Sequence, residues 1–409
     1  MALSFVPLTK HAPIVLLLVC IPATAQRTED QLTPVTVAPL TASAQAFPGS
    51  DGKYHVDYEL VVTNTKPTTA TLEKIEVLNA AKPSAALVTY EGETLLPQLR
   101  TLVSTPAKSA EIEFNGTRLF LIDLTFNTPG EIPNRMEHRV SVMGAATPAP
   151  APATPVALSY TVAPIDVFQK AITIGPPLAG KGWIAFNGCC GLGGAHRVSG
   201  QTVNGRIYFA QRYAIDWMRL DDAGRLVHGD STDVRNYSCY DADVLSVADG
   251  TVVSVLDNLE DQPPGQLPDV STVNLATVTG NHVILDLGSG VYAVYAHMQK
   301  NSIVVTVGQR VKRGQLLGKL GNSGNTSAPH LHFHLVDSPS VLGSNGIPYV
   351  IDDFAFAGRI PADDDEAGSN DLQKSWSSSL FPDTSQHHQE LPLDLDIVDF
   401  PNAPAGATH

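Results

Sequence analysis

The segment His330-Leu331-His332-Phe333-His334-Leu335 alternates imidazole with apolar side chains. In an extended strand successive side chains point to opposite faces, so three imidazoles share one face and Leu331, Phe333 and Leu335 the other. Same-face neighbours lie roughly 7 Å apart, which lets one imidazole bind a metal while the next faces a substrate. Imidazole is a common ligand for zinc. The competing reading is a polar strand face turned to solvent. A further histidine ends the strand-like run Val291-Tyr292-Ala293-Val294-Tyr295-Ala296-His297, on the side of Tyr295 and Ala293. In Gln211-Arg212-Tyr213-Ala214-Ile215-Asp216-Trp217 one carboxylate sits in an otherwise apolar strand. Burying an unpaired carboxylate is costly, so Asp216 requires a cation. Arg212 is one candidate, but four residues of straight strand span about 13 Å, too far for direct pairing. A metal is the other.

These residues need strands to carry them, and the composition supplies strands. The 409 residues are 43% hydrophobic and 16% charged, with 30 prolines and 32 glycines. Short Val/Ile/Thr/Tyr runs between such turn formers indicate an all-β protein rather than a helical bundle, coiled coil or disordered chain. An N-terminal β-sandwich is expected over 26–163, from runs such as 54–62, 118–124 and 138–142 with Asn115-Gly116 and Pro129-Gly130 as breakers. The Ala/Pro/Thr stretch 145–155 reads as a stiff hairpin loop inside that unit. A second β domain is expected over 164–360, with strands near 207–217, 244–256, 282–287, 291–297 and 330–336. The glycine-rich stretch 314–329 lacks the Gly-Lys-Ser/Thr ending of a phosphate loop and reads as turns that deliver the histidine strand.

Residues 1–25 read as a signal peptide: Lys10 and His11, the apolar run 14–21, then Ala23-Thr24-Ala25 before Gln26. That run is too short to span a bilayer, which takes about 20 apolar residues. The expectation is an exported chain, periplasmic or extracellular, without a transmembrane segment. The net charge of −15 is uneven: 361–409 carries ten acids against Lys374 and is expected to be a disordered acidic tail. Clustered Lys/Arg is missing, which argues against nucleic acid as a partner. Of Cys189, Cys190 and Cys239, the natural disulfide joins Cys239 to one of the adjacent two, with a vicinal bridge as the alternative.

The Tyr-Ala-His ending at His297, the run Gly321-Asn322-Ser323-Gly324-Asn325-Thr326-Ser327-Ala328-Pro329-His330-Leu331-His332-Phe333 and the Ala214-Ile215-Asp216 strand resemble the lysostaphin-type zinc metallopeptidases. The resemblance covers roughly 176–358, and Val247-Ala248-Asp249-Gly250-Thr251-Val252 is similar to the strand-turn-strand that follows the metal-binding Asp. It implies a compact, mostly antiparallel β core with an open groove. It also implies Asp216 and His332 as zinc ligands and His297 and His330 as catalytic imidazoles. The family pattern places its first ligand His four residues before the Asp, where this chain has Arg212, and a guanidinium cannot serve. His196 in Gly194-Ala195-His196-Arg197 is the best replacement, if 198–208 loops back over the strand with Asn204-Gly205 as its turn. His228 is a weaker competitor. His334 is either exposed or a partner to a ligand, with exposure favoured.

Two imidazoles and one carboxylate around Zn²⁺ leave an open position for chemistry on a peptide bond. The implied activity is a zinc metalloendopeptidase: zinc-activated water, assisted by the two histidines, would cut peptides, foremost those of peptidoglycan cross-links. The alternative is a degenerate, non-catalytic member acting as a cell-wall-binding scaffold or hydrolase activator. Arg212 argues for that alternative, and retention of His297 and His330 argues against it.

Overall fold

A computed structural model describes residues 30–102, 104–147, 154–269, 271–362 and 373–402. Residues 1–29, where the signal peptide is expected, lie outside them. Two large sheets dominate. The first contains β1 (Ser43–Pro48), β2 (Tyr54–Asn64), β3 (Ala70–Asn79), β4 (Thr117–Phe126), β5 (Arg135–Gly144) and β6 (Val156–Phe168). Among the described residues their order is β3-β5-β6-β1-β2-β4, with Lys82–Glu91 beyond β3 and Leu99–Arg100 beyond β4. The sheet curls so that Val56, Tyr58 and Leu60 of β2 meet Ile75, Val77, Val140 and Val142 of the other half in one core. Strands β5 and β6 pair antiparallel from Gly144 and Val156 outward, as the hairpin reading of 145–155 requires. Residues 148–153 of that loop lie outside the described set.

Strand β2 shows how the first sheet meets the second. Its even residues Val56, Tyr58 and Leu60 fill the core, which by strand alternation turns His55, Asp57 and Glu59 to the opposite face. All three are nevertheless buried. That face meets the segment 189–212, which leads between strands of the second sheet: Cys189 lies against Asp57, and Arg197 and Arg212 bind Glu59.

The second sheet contains β7 (Gly180–Phe186), β8 (Ile215–Arg219), β9 (Gly250–Leu256), β10 (Asn281–Gly288), β11 (Val291–Met298), β12 (Leu331–Val336), β13 (Tyr349–Arg359), β14 (Leu380–Glu390) and β15 (Asp396–Phe400). Its order is β13-β15-β7-β8-β12-β11-β10-β9, with β14 on β13. The histidine strand β12 is therefore central, flanked by antiparallel β8 and β11. The fold is all-β, as the composition indicated, and no helix among the described residues is long and apolar enough to cross a membrane.

Two expectations are corrected. The segment after residue 361 is not a disordered tail throughout: 380–390 and 396–400 are strands, and β15 lies between β13 and β7. Leu391, Leu393, Leu395 and Ile397 alternate along the chain and are buried, which outweighs the acids between them. Residues 363–372 lie outside the described set. The disulfide is the vicinal one, Cys189–Cys190. Cys239 is buried elsewhere, its thiol donating to the Pro329 carbonyl at 3.1 Å.

Candidate metal centre

Register brings the chemistry together. On β12, His332 stands opposite Asp216 of β8 on one side and Ala296 of β11 on the other, next to His297. His330 precedes β12, and its Nδ1 donates to the Ala328 carbonyl at 2.8 Å. His297 has φ 61°, a conformation that non-glycine residues adopt rarely and often at functional sites. Its Nδ1 donates to the Ser323 carbonyl at 2.8 Å. The rings of His297 and His330 lie 4.8 Å apart between centroids.

His196 arrives from a loop. Residues Gln201–Val203 and Arg206–Tyr208 form a hairpin whose turn is Asn204-Gly205, both at positive φ. That is the two-residue turn its sequence favours. The His196 Nδ1 lies 3.0 Å from both the Asn187 and Ala214 carbonyls, so it carries the proton and donates. Its Nε2 lone pair is left facing Asp216 Oδ2 at 3.4 Å. Asn187 also donates from its side chain to Asp216 Oδ2 at 2.8 Å. Asp216 Oδ1 lies 2.8 Å from His332 Nδ1 and 3.3 Å from His330 Nε2.

Burial disfavours the Asp216 anion, but His196, His330 and His332 around it hold its carboxyl well below the usual range. Burial pushes the His332 and His297 imidazoles down toward the neutral form, which is the form that ligates. For His330 burial acts in the same direction, yet the adjacent Asp216 carboxylate raises it overall.

His196, Asp216 and His332 offer nitrogen and oxygen atoms all within 4.8 Å of one another, and so do His297, His330 and His332. The first set suits a divalent cation better, because its carboxylate offsets charge that three imidazoles leave uncompensated. The hydrogen bonds agree: His196 Nδ1 is taken by carbonyls and His332 Nε2 by His334 Nδ1 at 3.0 Å, so the remaining lone pairs converge on Asp216. Such partners fix tautomer and ring orientation.

One placement differs from what the sequence suggested, that of His334; Arg212 and His228 stand away from Asp216 as expected, and Asn187 was not foreseen. His334 is 1% exposed rather than solvated, because β12 is covered on both faces. Arg212 does not serve Asp216; its Nη2 and Nε bind the Glu59 carboxylate at 2.5 and 2.9 Å. His228 is exposed on a loop, beside Asp221, and stays apart from the site. Asn187 was missed, although Asn-Gly is a turn signal and Asn187 has φ 54°.

The sequence model described as Peptidase family M23 matches residues 232–341. The match contains His297, His330, His332 and His334, whereas His196 and Asp216 lie before it. The chain is 42% identical over 57 residues to the peptidoglycan DD-endopeptidase ShyA of Vibrio cholerae, and 37% identical over 57 residues to ShyC of the same organism. Each match covers 14% of this chain and 13% of the relative, so the chain spans about an eighth of the length of these relatives. Among solved structures, it is similar to the catalytic domain of lysostaphin from Staphylococcus simulans, at 20% identity over 41% of this chain and 88% of that one, TM-score 0.22. It is also similar to a zinc-containing peptidase from Vibrio cholerae, at 13% identity over 75% of this chain and 83% of that one, TM-score 0.20. Residues 232–341 thus carry a match to Peptidase family M23, and within them lie the histidine strand and preceding turn that resemble the lysostaphin-type peptidases.

Proposed function

We propose that this protein is a zinc metalloendopeptidase that hydrolyses peptide bonds in peptidoglycan cross-links. The observation that carries the reading is the convergence of His196 Nε2, an Asp216 carboxylate oxygen and His332 Nδ1 within 4.8 Å, beside His297 and His330. Those three would hold the ion. Zn²⁺ bound there would supply Lewis acidity, polarising a peptide carbonyl and acidifying water. Both His297 and His330 have Nδ1 anchored on a carbonyl, which leaves Nε2 as the nitrogen that can act, that of His330 standing 3.3 Å from Asp216 Oδ1. One accepts a proton at Nε2, and the other donates from Nε2 to the developing oxyanion, then to the leaving amine. His334 Nδ1, in turn, keeps the His332 ring oriented. The substrate class rests on the named peptidoglycan endopeptidases to which a segment of the chain is similar.

The same reading places the protein outside the cytoplasm, with 1–25 as its export signal and the sheet of 26–163 packed against a catalytic sheet that begins at 164 and takes in 380–400. Arg212 at the usual first-ligand position favours a second reading, a non-catalytic scaffold. Its guanidinium turns to Glu59, however, and leaves room for His196. Zinc per chain, with chelator-reversible hydrolysis of cross-linked muropeptides, decides between them. About one zinc, lost in both His196→Ala and His332→Ala, is expected; a zinc-free parent after reconstitution overturns the enzyme reading.

A further inference from the structure

A buried ion cluster joins the two sheets. Glu59 on β2 is fully buried, and its Oε1 binds Arg197 Nη1 at 2.7 Å and Arg212 Nε at 2.9 Å, while Oε2 binds Arg212 Nη2 at 2.5 Å. Arg197, also fully buried, donates from Nε to Asp123 at 2.6 Å and from Nη2 to the Tyr58 and Ile122 carbonyls at 3.2 and 3.1 Å. Arg212 reaches the Gly346 carbonyl at 3.3 Å. Ion pairs so far from water are rarely justified by stability alone, since desolvation offsets most of the attraction.

The positions of the two arginines in the chain give the cluster a role. Arg197 directly follows His196. Arg212 lies two residues before Ala214, whose carbonyl accepts from His196 Nδ1, and four before Asp216. One carboxylate from the first sheet thus pins both segments whose meeting sets the His196 ring. Without it, Arg212 would lose its carboxylate partner and Arg197 would keep only Asp123, so repulsion between the two buried guanidinium groups would push those segments apart.

We propose that Glu59 is a positioning residue for the metal centre: by clamping Arg197 and Arg212 it sets His196 against Asp216, so the first sheet completes the site in the second. The inference rests on the metal-centre reading above and assigns the first sheet a part in it. It also accounts for the arginine at residue 212, which serves as the handle by which Glu59 holds the strand.

The test compares full-length parent, Glu59→Gln, Glu59→Asp and Asp123→Asn with Glu113→Gln, which removes an exposed ion pair with Arg118 on the same sheet. Zinc affinity is read by competition with a chromophoric chelator, and the His196 Nδ1–H resonance is read in the metal-free proteins. Glu59→Gln is expected to weaken zinc binding about tenfold or more and to move the His196 resonance, with Glu59→Asp between it and the parent. Glu113→Gln should match the parent in both readouts. If Glu59→Gln fails to fold, Glu59→Asp and Asp123→Asn decide by the same readouts. Parent-like affinity and resonance in the folded variants overturn the proposal, and so does collapse of all three, which makes the cluster purely structural. A parent that binds no zinc refutes the metal reading instead, and the resonance then decides on Glu59 alone.

Discussion

His334 offers the sharpest test of the geometry, through the pair His334→Leu and His334→Asn. Its Nδ1 lies 3.0 Å from His332 Nε2. At 1% exposure no bulk water can take its place. Burial and the neighbouring His332 and His196 keep its ring neutral. For His332 Nδ1 to ligate the ion beside Asp216, His332 Nε2 must be the protonated nitrogen and His334 Nδ1 the acceptor. Leu removes that acceptor, whereas Asn can place its Oδ1 near the same point. Losing a partner of this kind costs a metal site about 10–100-fold in affinity, or roughly 1.4–2.7 kcal/mol. Stability should follow a different course. His334 Nε2 is itself buried without a hydrogen-bond partner, so Leu also removes an unmet polar group, worth about 1–3 kcal/mol, against the packing it disturbs. The expected outcome is a His334→Leu protein whose metal-free thermal midpoint is near the parent's while its zinc affinity has fallen, and a His334→Asn protein that keeps most of the affinity. Parent-like affinity in His334→Leu, measured by chelator competition, refutes the tautomer argument.

Three further outcomes follow from the same structure. His297→Ala and His330→Ala should keep zinc yet lose hydrolysis by about 10²–10⁴-fold in kcat, and loss of zinc in either would move that residue into the donor set. Burial disfavours the Glu59 anion, but Arg212 and Arg197 hold its carboxyl below the usual glutamate range. A depressed carboxyl stabilises the fold above its unfolded value and stops doing so as pH falls through its folded value. The thermal-midpoint gap between parent and Glu59→Gln should therefore be widest near neutrality and narrow below about pH 4.5, and a pH-independent gap contradicts it. A chain ending at residue 360 strips Leu391, Leu393, Leu395, Ile397, Val398 and Phe400 from the second core. At about 2 kcal/mol each this is on the order of 10 kcal/mol, comparable with a whole domain's stability, so the truncated chain should lose its cooperative unfolding transition by calorimetry.

What the sequence made legible was local. Alternation put three imidazoles on one face of 330–334, an apolar strand isolated Asp216, and Asn204-Gly205 marked the turn that returns His196 to it. Each of those signals needs only a few adjacent residues. Glu59 could not be found that way, because it meets Arg197 and Arg212 across 138 and 153 residues, and nothing in β2 distinguishes a carboxylate bound for a buried clamp from a solvated one. The burial of His334 was hidden for a related reason. Strand alternation assigns faces, but whether a face is covered depends on which strands flank it. The terminal segment failed differently: a period-2 run from Leu391 to Ile397 was present, but counting the acids around it pointed to disorder.

Glu59 and Asp123, which local patterns could not reveal, lie where the first sheet meets the segments carrying His196 and Arg212, and this bears on how the site is built. The segments carrying His297, His330 and His332 are secured within the second sheet, by β11, β12 and the turns around Ser323 and Ala328. His196 is held differently. It sits on a loop, and two of the side chains that fix its surroundings, Arg197 and Arg212, are answered by Glu59 and Asp123 from the first sheet. A ligand four residues before Asp216, in the turn that leads directly into β8, would need less such help. Moving it to position 196 frees residue 212 to become an anchor, at the cost of making one donor depend on a distant carboxylate. The metal centre should then be most sensitive to substitution at His196 and its two arginines, and least where β11 and β12 alone supply the frame. Paired zinc-affinity measurements on Arg197→Lys and on Tyr295→Phe, a buried strand residue whose hydroxyl accepts from the Val247 amide at 2.8 Å, would expose that asymmetry. Equal losses in the two would show that the first sheet contributes no more to the donors than ordinary packing does.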